Sequence, residues 1–159
     1  MAAEYRFLTA WLLDADHDRV WDELFHPVRW PAWWPGVEAV EQLAEGDETG
    51  VGSVYRNVWR SRLPYAVRFD ARTTRVERLH LIEGTATGEL VGTGRWRFFP
   101  SQDALAVTYE WNVRTTRRWM NALSPLARPA FAWNHDYAMR RGGHALARSV
   151  GGRLLAHTG

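Results

Sequence analysis

Cysteine and lysine are both absent from this sequence of 159 residues. Without cysteine there are no disulfides, no thiolate nucleophiles and no zinc sites with sulfur ligands. Without lysine there is no Schiff-base amine and no phosphate-binding lysine of the P-loop kind. The lack of cysteine fits a reducing compartment, so we expect a cytoplasmic protein.

Long apolar runs and long runs of like charge are also missing. Residues 1–11 lack the basic and apolar parts of a signal peptide. No apolar run approaches the roughly 20 residues that span a bilayer. The formal net charge is only +2, and no basic run of five residues occurs. We therefore expect neither stable membrane insertion nor nucleic-acid binding.

Motifs for metal and hydrolase chemistry are absent as well. The six histidines show no HxH or HExxH spacing, and no GxSxG motif is present. The GxG at residues 92–94 lies in the middle of a predicted strand, with no third glycine and no following helix. We therefore expect no metal site, no dinucleotide or other cofactor, and no nucleophile elbow.

Aromatic residues, by contrast, are abundant. The chain has ten Trp, six Phe and five Tyr, and 46% of its residues are hydrophobic. The aromatic residues either fill the core or form the walls of an apolar pocket for an organic ligand, and the two interpretations are compatible. The length and composition predict one folded domain over residues 1–159.

Alternating apolar and polar positions over residues 4–115 predict seven strands of an antiparallel meander. The expected strands are 4–13, 37–43, 53–60, 65–76, 78–87, 88–99 and 104–115. Two short helices follow the first strand. The first is amphipathic with Asp16 as its N-cap. The second is at most one turn in the segment Trp30–Val37, the Trp turn, because Pro31, Pro35 and Gly36 interrupt it.

The run from Ser124 to Leu155 predicts a long C-terminal helix. Small and apolar residues recur there at spacings of three and four, together with one histidine: Phe131, His135, Ala138, Gly142, Ala145 and Ser149. Pro129 should kink or divide it, and two Gly-Gly pairs should weaken it further. We expect a short segment over 117–123 and a main helix over 129–150. This is an α+β pattern in which a curved sheet wraps around the helix.

Four features together resemble the START-like superfamily, also called SRPBCC. The first strand ends in LLDAD and leads into VWDEL; the others are WPAWWPGV, GELVGTGRW and the single long C-terminal helix. Within the superfamily the chain is similar to bacterial proteins of the polyketide cyclase/dehydrase-like kind. The resemblance implies a helix-grip fold and a deep cavity between sheet and helix, open near the Trp turn. It assigns no particular catalytic residue.

The expected ligand-binding residues lie on the inner strand faces, in the Trp turn and on the helix. They are Trp33, Trp34, Tyr55, Asn57, Trp59, Tyr65, Phe69, Trp96, Tyr109, Trp111, Phe131, Asn134, His135 and Ala138. The tryptophans of the Trp turn either plug the end of the core or gate a ligand. His135 is the candidate catalytic acid or base, the alternative being a hydrogen-bonded core histidine.

Three further residues are weaker candidates. Glu83 either pairs with an arginine or acts as a base, and its facing is open. Tyr137 and Arg141 lie four residues apart on one helix face, where the guanidinium either binds a carboxylate or phenolate or is simply solvated.

The pattern favours binding or carriage of a hydrophobic small molecule that is aromatic, polyketide-like or lipid-like. The alternative is a cyclase or aromatase-type enzyme, in which the cavity positions a poly-β-ketone chain and His135 or a phenol moves a proton. Binding is preferred because no set of nucleophile, base and orienting residue can be assembled from the sequence. A third hypothesis is a partner complex that uses the Trp turn as its contact surface.

Overall fold

The computed structural model describes residues 4–122 and 124–159. Its strands are β1 (Glu4–Asp14), β2 (Val37–Ala44), β3 (Val54–Trp59), β4 (Val67–Glu77), β5 (Leu81–Gly88), β6 (Leu90–Pro100), β7 (Leu105–Thr115) and β8 (Arg153–Thr158). Its helices are α1 (His17–Phe25), α2 (Trp30–Trp33), α3 (Arg118–Ala122) and α4 (Ser124–Ser149), with a 3₁₀ turn at Pro27–Arg29. The strands form one antiparallel sheet in the order β2-β3-β4-β5-β6-β7-β1-β8. The α+β, helix-grip prediction is confirmed.

The inner face of the sheet follows the predicted alternation. In β1, Tyr5, Thr9 and Trp11 are buried, whereas Leu8 on the opposite face is 60% exposed. The same alternation buries Trp96 on β6, which lies beside Tyr109 of β7 in the ladder. The apolar side chains of successive strands therefore meet on the face that α4 covers.

Local interactions also set the first helix as expected. The backbone N–H of Arg19 donates to the Asp16 carboxylate at 3.0 Å, which caps α1. Val20, Trp21 and Leu24 form the buried side of this helix. The Trp turn contains the single-turn helix α2, which ends at Trp34.

The sheet has eight strands rather than the seven expected. Gly151 adopts a φ of +74° just after α4, a left-handed conformation that suits glycine and ends the helix. The chain then reverses, and β8 pairs with the free edge of β1. Leu154 therefore belongs to a strand, although its sequence position extends the helical pattern. Two other strands start later than predicted, at Val67 and Leu81, because turns precede them.

α4 is continuous through Pro129, contrary to the predicted division. This proline lies in the second turn, close to the N-terminus of the helix. Because it has no N–H, the helix loses one backbone hydrogen bond there and continues. The predicted stripe is buried at Phe131, Ala138 and Ala145, but Ser149 is exposed. At the end of the helix the buried residues are instead Leu146 and Val150.

Two glycines in α4 let the helix lie directly against two tryptophans. A Cβ on Gly142 would come within 2.4 Å of the Trp34 indole, and one on Gly143 within 2.8 Å of the Trp11 indole. The Trp34 Nε1–H donates to the Ala138 carbonyl at 3.0 Å, and the Trp11 Nε1–H donates to the Met139 carbonyl at 3.1 Å. Gly142 thus serves close packing, and it leaves no free volume beside the helix.

We predict that Gly142→Ala and Gly143→Ala each destabilise the fold. Alanine in a helix interior normally stabilises by roughly 1 kcal/mol relative to glycine. Here the added methyl meets an indole and displaces its buried hydrogen bond, so we expect a net loss of about 1–3 kcal/mol in the free energy of unfolding. Urea denaturation measures this, with the exposed Ser149→Ala as the control. Stabilisation by either glycine substitution would contradict the packing described above.

Candidate functional site

Two small chambers lie between the sheet and its covering helices. Chamber 1 has a volume of about 110 Å³ and lies toward α1 and α2. Chamber 2 has a volume of about 80 Å³ and lies beneath the first half of α4. The two chambers share four aromatic wall residues, Trp59, Phe69, Tyr109 and Trp111. They therefore form two compartments of one aromatic interior, divided by side chains.

Chamber 1 has aromatic walls, and two of the sheet residues that line it are glycines. Gly84 and Gly94 lie opposite each other in the β5–β6 ladder and both line this chamber. Asn57 is its buried amide, but both ends of the amide are engaged. Its Nδ2 donates to the Tyr55 carbonyl at 3.1 Å, and its Oδ1 accepts from the Trp59 indole at 3.3 Å. Asn57 therefore fixes the wall of the chamber and has little capacity left for a ligand.

Chamber 2 is enclosed by α4, the sheet and the loop of residues 60–66. The loop contributes Ser61, Leu63 and Tyr65 to its lining. The Asn134 side chain accepts a hydrogen bond from the backbone N–H of Arg62 at 2.8 Å, which holds the loop on α4. Asn134 thus acts as a structural link at the rim of the chamber.

His135 lines chamber 2 from α4 and stacks on Phe7, with ring centroids 4.0 Å apart and planes 10° apart. Its side chain is 12% exposed, and its Nδ1 lies 3.7 Å from the Asp136 carboxylate. Both ring nitrogens are buried without a hydrogen-bond partner among the described residues. Burial lowers the pKa of His135 to about 4, against the opposing effect of Asp136. The imidazole is therefore neutral at pH 7.

Tyr109 stands at the division between the chambers. Its ring stacks on Trp96 at 4.1 Å and on Trp111 at 5.8 Å. Burial raises the pKa of the phenol, so it stays protonated across the physiological range. Among the described residues the hydroxyl has no hydrogen-bond partner, and it lies 3.0 Å from the position of a Cβ on Gly94, which lines chamber 1. His135 is thus the uncharged polar group of chamber 2, and the Tyr109 hydroxyl is a second one on the side of chamber 1.

Most residues predicted from the sequence line one chamber or both. Chamber 1 includes Tyr55, Asn57, Trp59, Phe69, Trp96, Tyr109 and Trp111, and chamber 2 includes Trp59, Tyr65, Phe69, Tyr109, Trp111, Phe131, Asn134, His135 and Ala138. Trp33 and Trp34 line neither chamber. Trp34 is committed to α4, and Trp33 stacks on Trp34 at 5.4 Å. These two residues pack the cover of the core.

Several lining residues were not predicted from the sequence. They are Leu24, Phe25, Pro27, Trp30 and Ile82 in chamber 1, and Ser61, Leu63, Val67, Leu90 and Met139 in chamber 2. Ile82 could have been found only if the facing of β5 were known. Glu83 also borders chamber 1, but its carboxylate pairs with Arg95 at 2.8 Å. An engaged carboxylate of this kind is a poor general base.

Residues 4–122 and 124–159 contain no group of three or more His, Asp or Glu side chains arranged to hold a metal ion. In the same part of the chain, every helix is too short or too polar to cross a bilayer.

The pKa of His135 predicts a pH dependence of stability. Between about pH 6.5 and pH 4 the unfolded state binds a proton that the folded state refuses, so the free energy of unfolding falls as the pH falls. The loss by pH 4 is about 3 kcal/mol. The free energy of unfolding, measured by urea denaturation at several pH values in this range, should therefore change less steeply with pH for His135→Phe than for the original protein. An unchanged slope for His135→Phe would contradict the assignment.

Comparison with known proteins supports the fold through structure rather than sequence. No protein-family model matches the sequence, and no curated protein matches it. Among solved structures, the chain is similar to the Zhui aromatase/cyclase from Streptomyces sp. R1128, with a TM-score of 0.73, 18% identity and 94% of each chain covered.

Two further structures with different titles share the architecture. A START superfamily protein from Mycobacterium smegmatis has a TM-score of 0.70 and 13% identity, covering 94% of this chain and 97% of that one. A norcoclaurine synthase point mutant from Thalictrum flavum has a TM-score of 0.61 and 16% identity, covering 94% of this chain and 96% of that one. At these identities the likeness establishes architecture alone. The chain shares with these structures the helix-grip fold, in which one antiparallel sheet wraps around a long helix.

Proposed function

We propose that this protein binds, and in binding carries, an uncharged aromatic small molecule between the sheet and α4. The observation that supports this most directly is the pairing of aromatic walls with two unpartnered polar groups, Tyr109 and His135. Pockets for organic ligands are mostly apolar, with a few polar groups that fix orientation. The solved structures of similar shape include a START superfamily protein and an aromatase/cyclase, which agrees with this class of ligand.

The polarity of chamber 2 favours a neutral ligand. Among the described residues, its lining contains no Asp, Glu or Arg, and His135 is uncharged at pH 7. A charged group placed there would lose its hydration without gaining a partner. A hydroxyl or carbonyl on the ligand, by contrast, gives the imidazole or the phenol the hydrogen bond that each lacks. Leaving such a group unpaired costs roughly 1–3 kcal/mol, so a phenolic or enolic oxygen is favoured.

The size of the chambers limits the ligand to a small molecule. A cavity of roughly 150 Å³ is known to accept benzene, whereas the two chambers measure about 110 and 80 Å³. Even a one-ring ligand therefore has to displace wall side chains or extend across both chambers. The loop of residues 60–66 forms part of this wall, and the Arg62 N–H bond to Asn134 holds it on α4.

A filled chamber tests the proposal. Val67 is buried and lines chamber 2, whereas Val91 lies on the opposite face of the sheet. We expect 2-naphthol to bind the original protein, with quenching of tryptophan fluorescence, and to bind Val67→Phe at least about tenfold more weakly because the ring occupies the chamber. Val91→Phe is the matched control and should bind normally. Equal weakening in both variants, or no binding to the original protein, would refute the proposal.

An enzyme of the cyclase or aromatase type is the second candidate. The neutral imidazole of His135 borders chamber 2, and the protonated phenol of Tyr109 stands at the division between the two chambers. Such a pair can accept one proton and donate another during an aldol closure and dehydration, provided the substrate is held in a reactive geometry. No third residue orients the imidazole, since both its nitrogens are without partners in the described chain. Positioning of the substrate would then supply most of the rate.

His135→Phe separates catalysis from binding, because it keeps the stack on Phe7 and removes both nitrogens. If the protein is a cyclase, this variant should lose at least about a hundredfold in kcat on a poly-β-ketone surrogate, the usual scale for a general acid or base. Its affinity for the surrogate should fall less than kcat, by the loss of one hydrogen bond at most. Normal turnover by His135→Phe would exclude the imidazole as the proton carrier. The exposed His144→Phe is the control.

A further inference from the structure

Some arginines on the sheet pair with carboxylates: Arg56 pairs with Asp70 at 3.0 Å, and Arg95 with Glu83 at 2.8 Å. The arginines around Tyr137 have no such pair, because Arg62, Arg140 and Arg141 lie within 4.0 Å of no carboxylate in the described part of the chain. The carboxylate next in sequence, that of Asp136, approaches His135 instead.

The three guanidinium groups converge on one phenol ring. Their central carbons lie 4.7, 5.4 and 6.0 Å from the Tyr137 ring centroid, for Arg62, Arg141 and Arg140 respectively. Arg141 also donates to the Tyr137 hydroxyl at 3.0 Å. Trp133 stacks on the same ring at 5.8 Å, and its side chain is 53% exposed. We call these five residues the Tyr137 cluster.

Tyr137 holds the arginine side chains of the cluster in place in the absence of a ligand. Stacking on the ring holds the guanidinium groups in place, so less side-chain entropy is lost when an anion binds them. The backbone of Arg62 is fixed by Asn134, as described above. Hydrogen bonds from Arg62 and Arg141 also lower the pKa of the Tyr137 phenol. These donors therefore use a neutral hydroxyl as acceptor, which is a weaker partner than an anion.

We propose that the Tyr137 cluster is a binding site for a phosphate monoester, with the exposed face of Trp133 as a stacking surface for the group the phosphate carries. Three guanidinium groups present more N–H donors than one carboxylate can accept, and a phosphate monoester offers three oxygens and close to two negative charges. Fork-shaped guanidinium donors also match phosphate oxygens in pairs. Because Tyr137, Arg140 and Arg141 line neither chamber, this site is separate from the one proposed for the neutral ligand.

Titration with phenyl phosphate tests the site. We expect saturable binding, followed by ³¹P NMR and by the indole N–H signal of Trp133, and weaker binding of benzoate and none of phenol at the cluster. The double variant Arg62→Gln/Arg141→Gln should bind phenyl phosphate at least about tenfold more weakly, since each charge-assisted contact contributes on this scale. The matched control is Arg97→Gln/Arg114→Gln, which removes two exposed sheet arginines outside the cluster.

Two further experiments test where the phosphate comes from and whether the site is independent of chamber 2. Flotation with phosphatidylcholine vesicles containing phosphatidic acid tests a lipid headgroup, and phenyl phosphate tests a soluble ester. Binding of either probe supports the site if it depends on Arg62 and Arg141. Val67→Phe should bind phenyl phosphate normally, even if it loses 2-naphthol. The site is refuted if neither probe binds, or if the control and the cluster variants weaken binding equally.

Discussion

The contact of two indoles with two adjacent glycines of α4 fixes the distance between the sheet and its covering helix. Trp11 reaches Gly143 from the sheet, and Trp34 reaches Gly142 from the Trp turn. Each indole N–H also donates to a helix carbonyl four residues earlier, so position along the helix is specified as well as distance. The second half of α4 is thereby locked. The first half carries Phe131 and His135, which contact Tyr5 and Phe7 of β1, and chamber 2 lies beneath it.

Much of this architecture could be predicted from local pattern. Alternation gave the inner faces of β1, β6 and β7, because a strand with one buried face has a strict period of two. The α1 cap followed from one aspartate. The strand β8 could not be predicted, because its partner is β1, more than 130 residues away, and its own leucines also fit a helix. Gly142 could either leave room for a ligand or let the helix pack closely. Which of these holds depends on Trp34, and no local sequence signal relates the two residues.

The polar groups of the interior divide into two kinds, and this division gives the site its chemical character. Asn57, Trp59 and Asn134 hydrogen-bond to the protein itself and shape the walls. His135 and Tyr109 have no such partners among the described residues. The sequence identified all five as wall candidates, since residue type and facing were sufficient for that. It could not separate the two kinds, because the partners are a main-chain carbonyl, an indole and a loop N–H that only folding brings within reach.

The pairing of β8 with β1 also has a consequence for solubility. It covers the edge of β1 over residues 10–14, in an eleven-residue strand whose outer face exposes Leu8 and Leu12. The outermost strands that remain are the six-residue β8, which starts at Arg153, and β2, which carries Glu38 and Glu41 on its exposed positions. Short or charged edges of this kind discourage the addition of a strand from another molecule. The part of the β1 edge that pairs with β8 is therefore closed to a strand from another molecule.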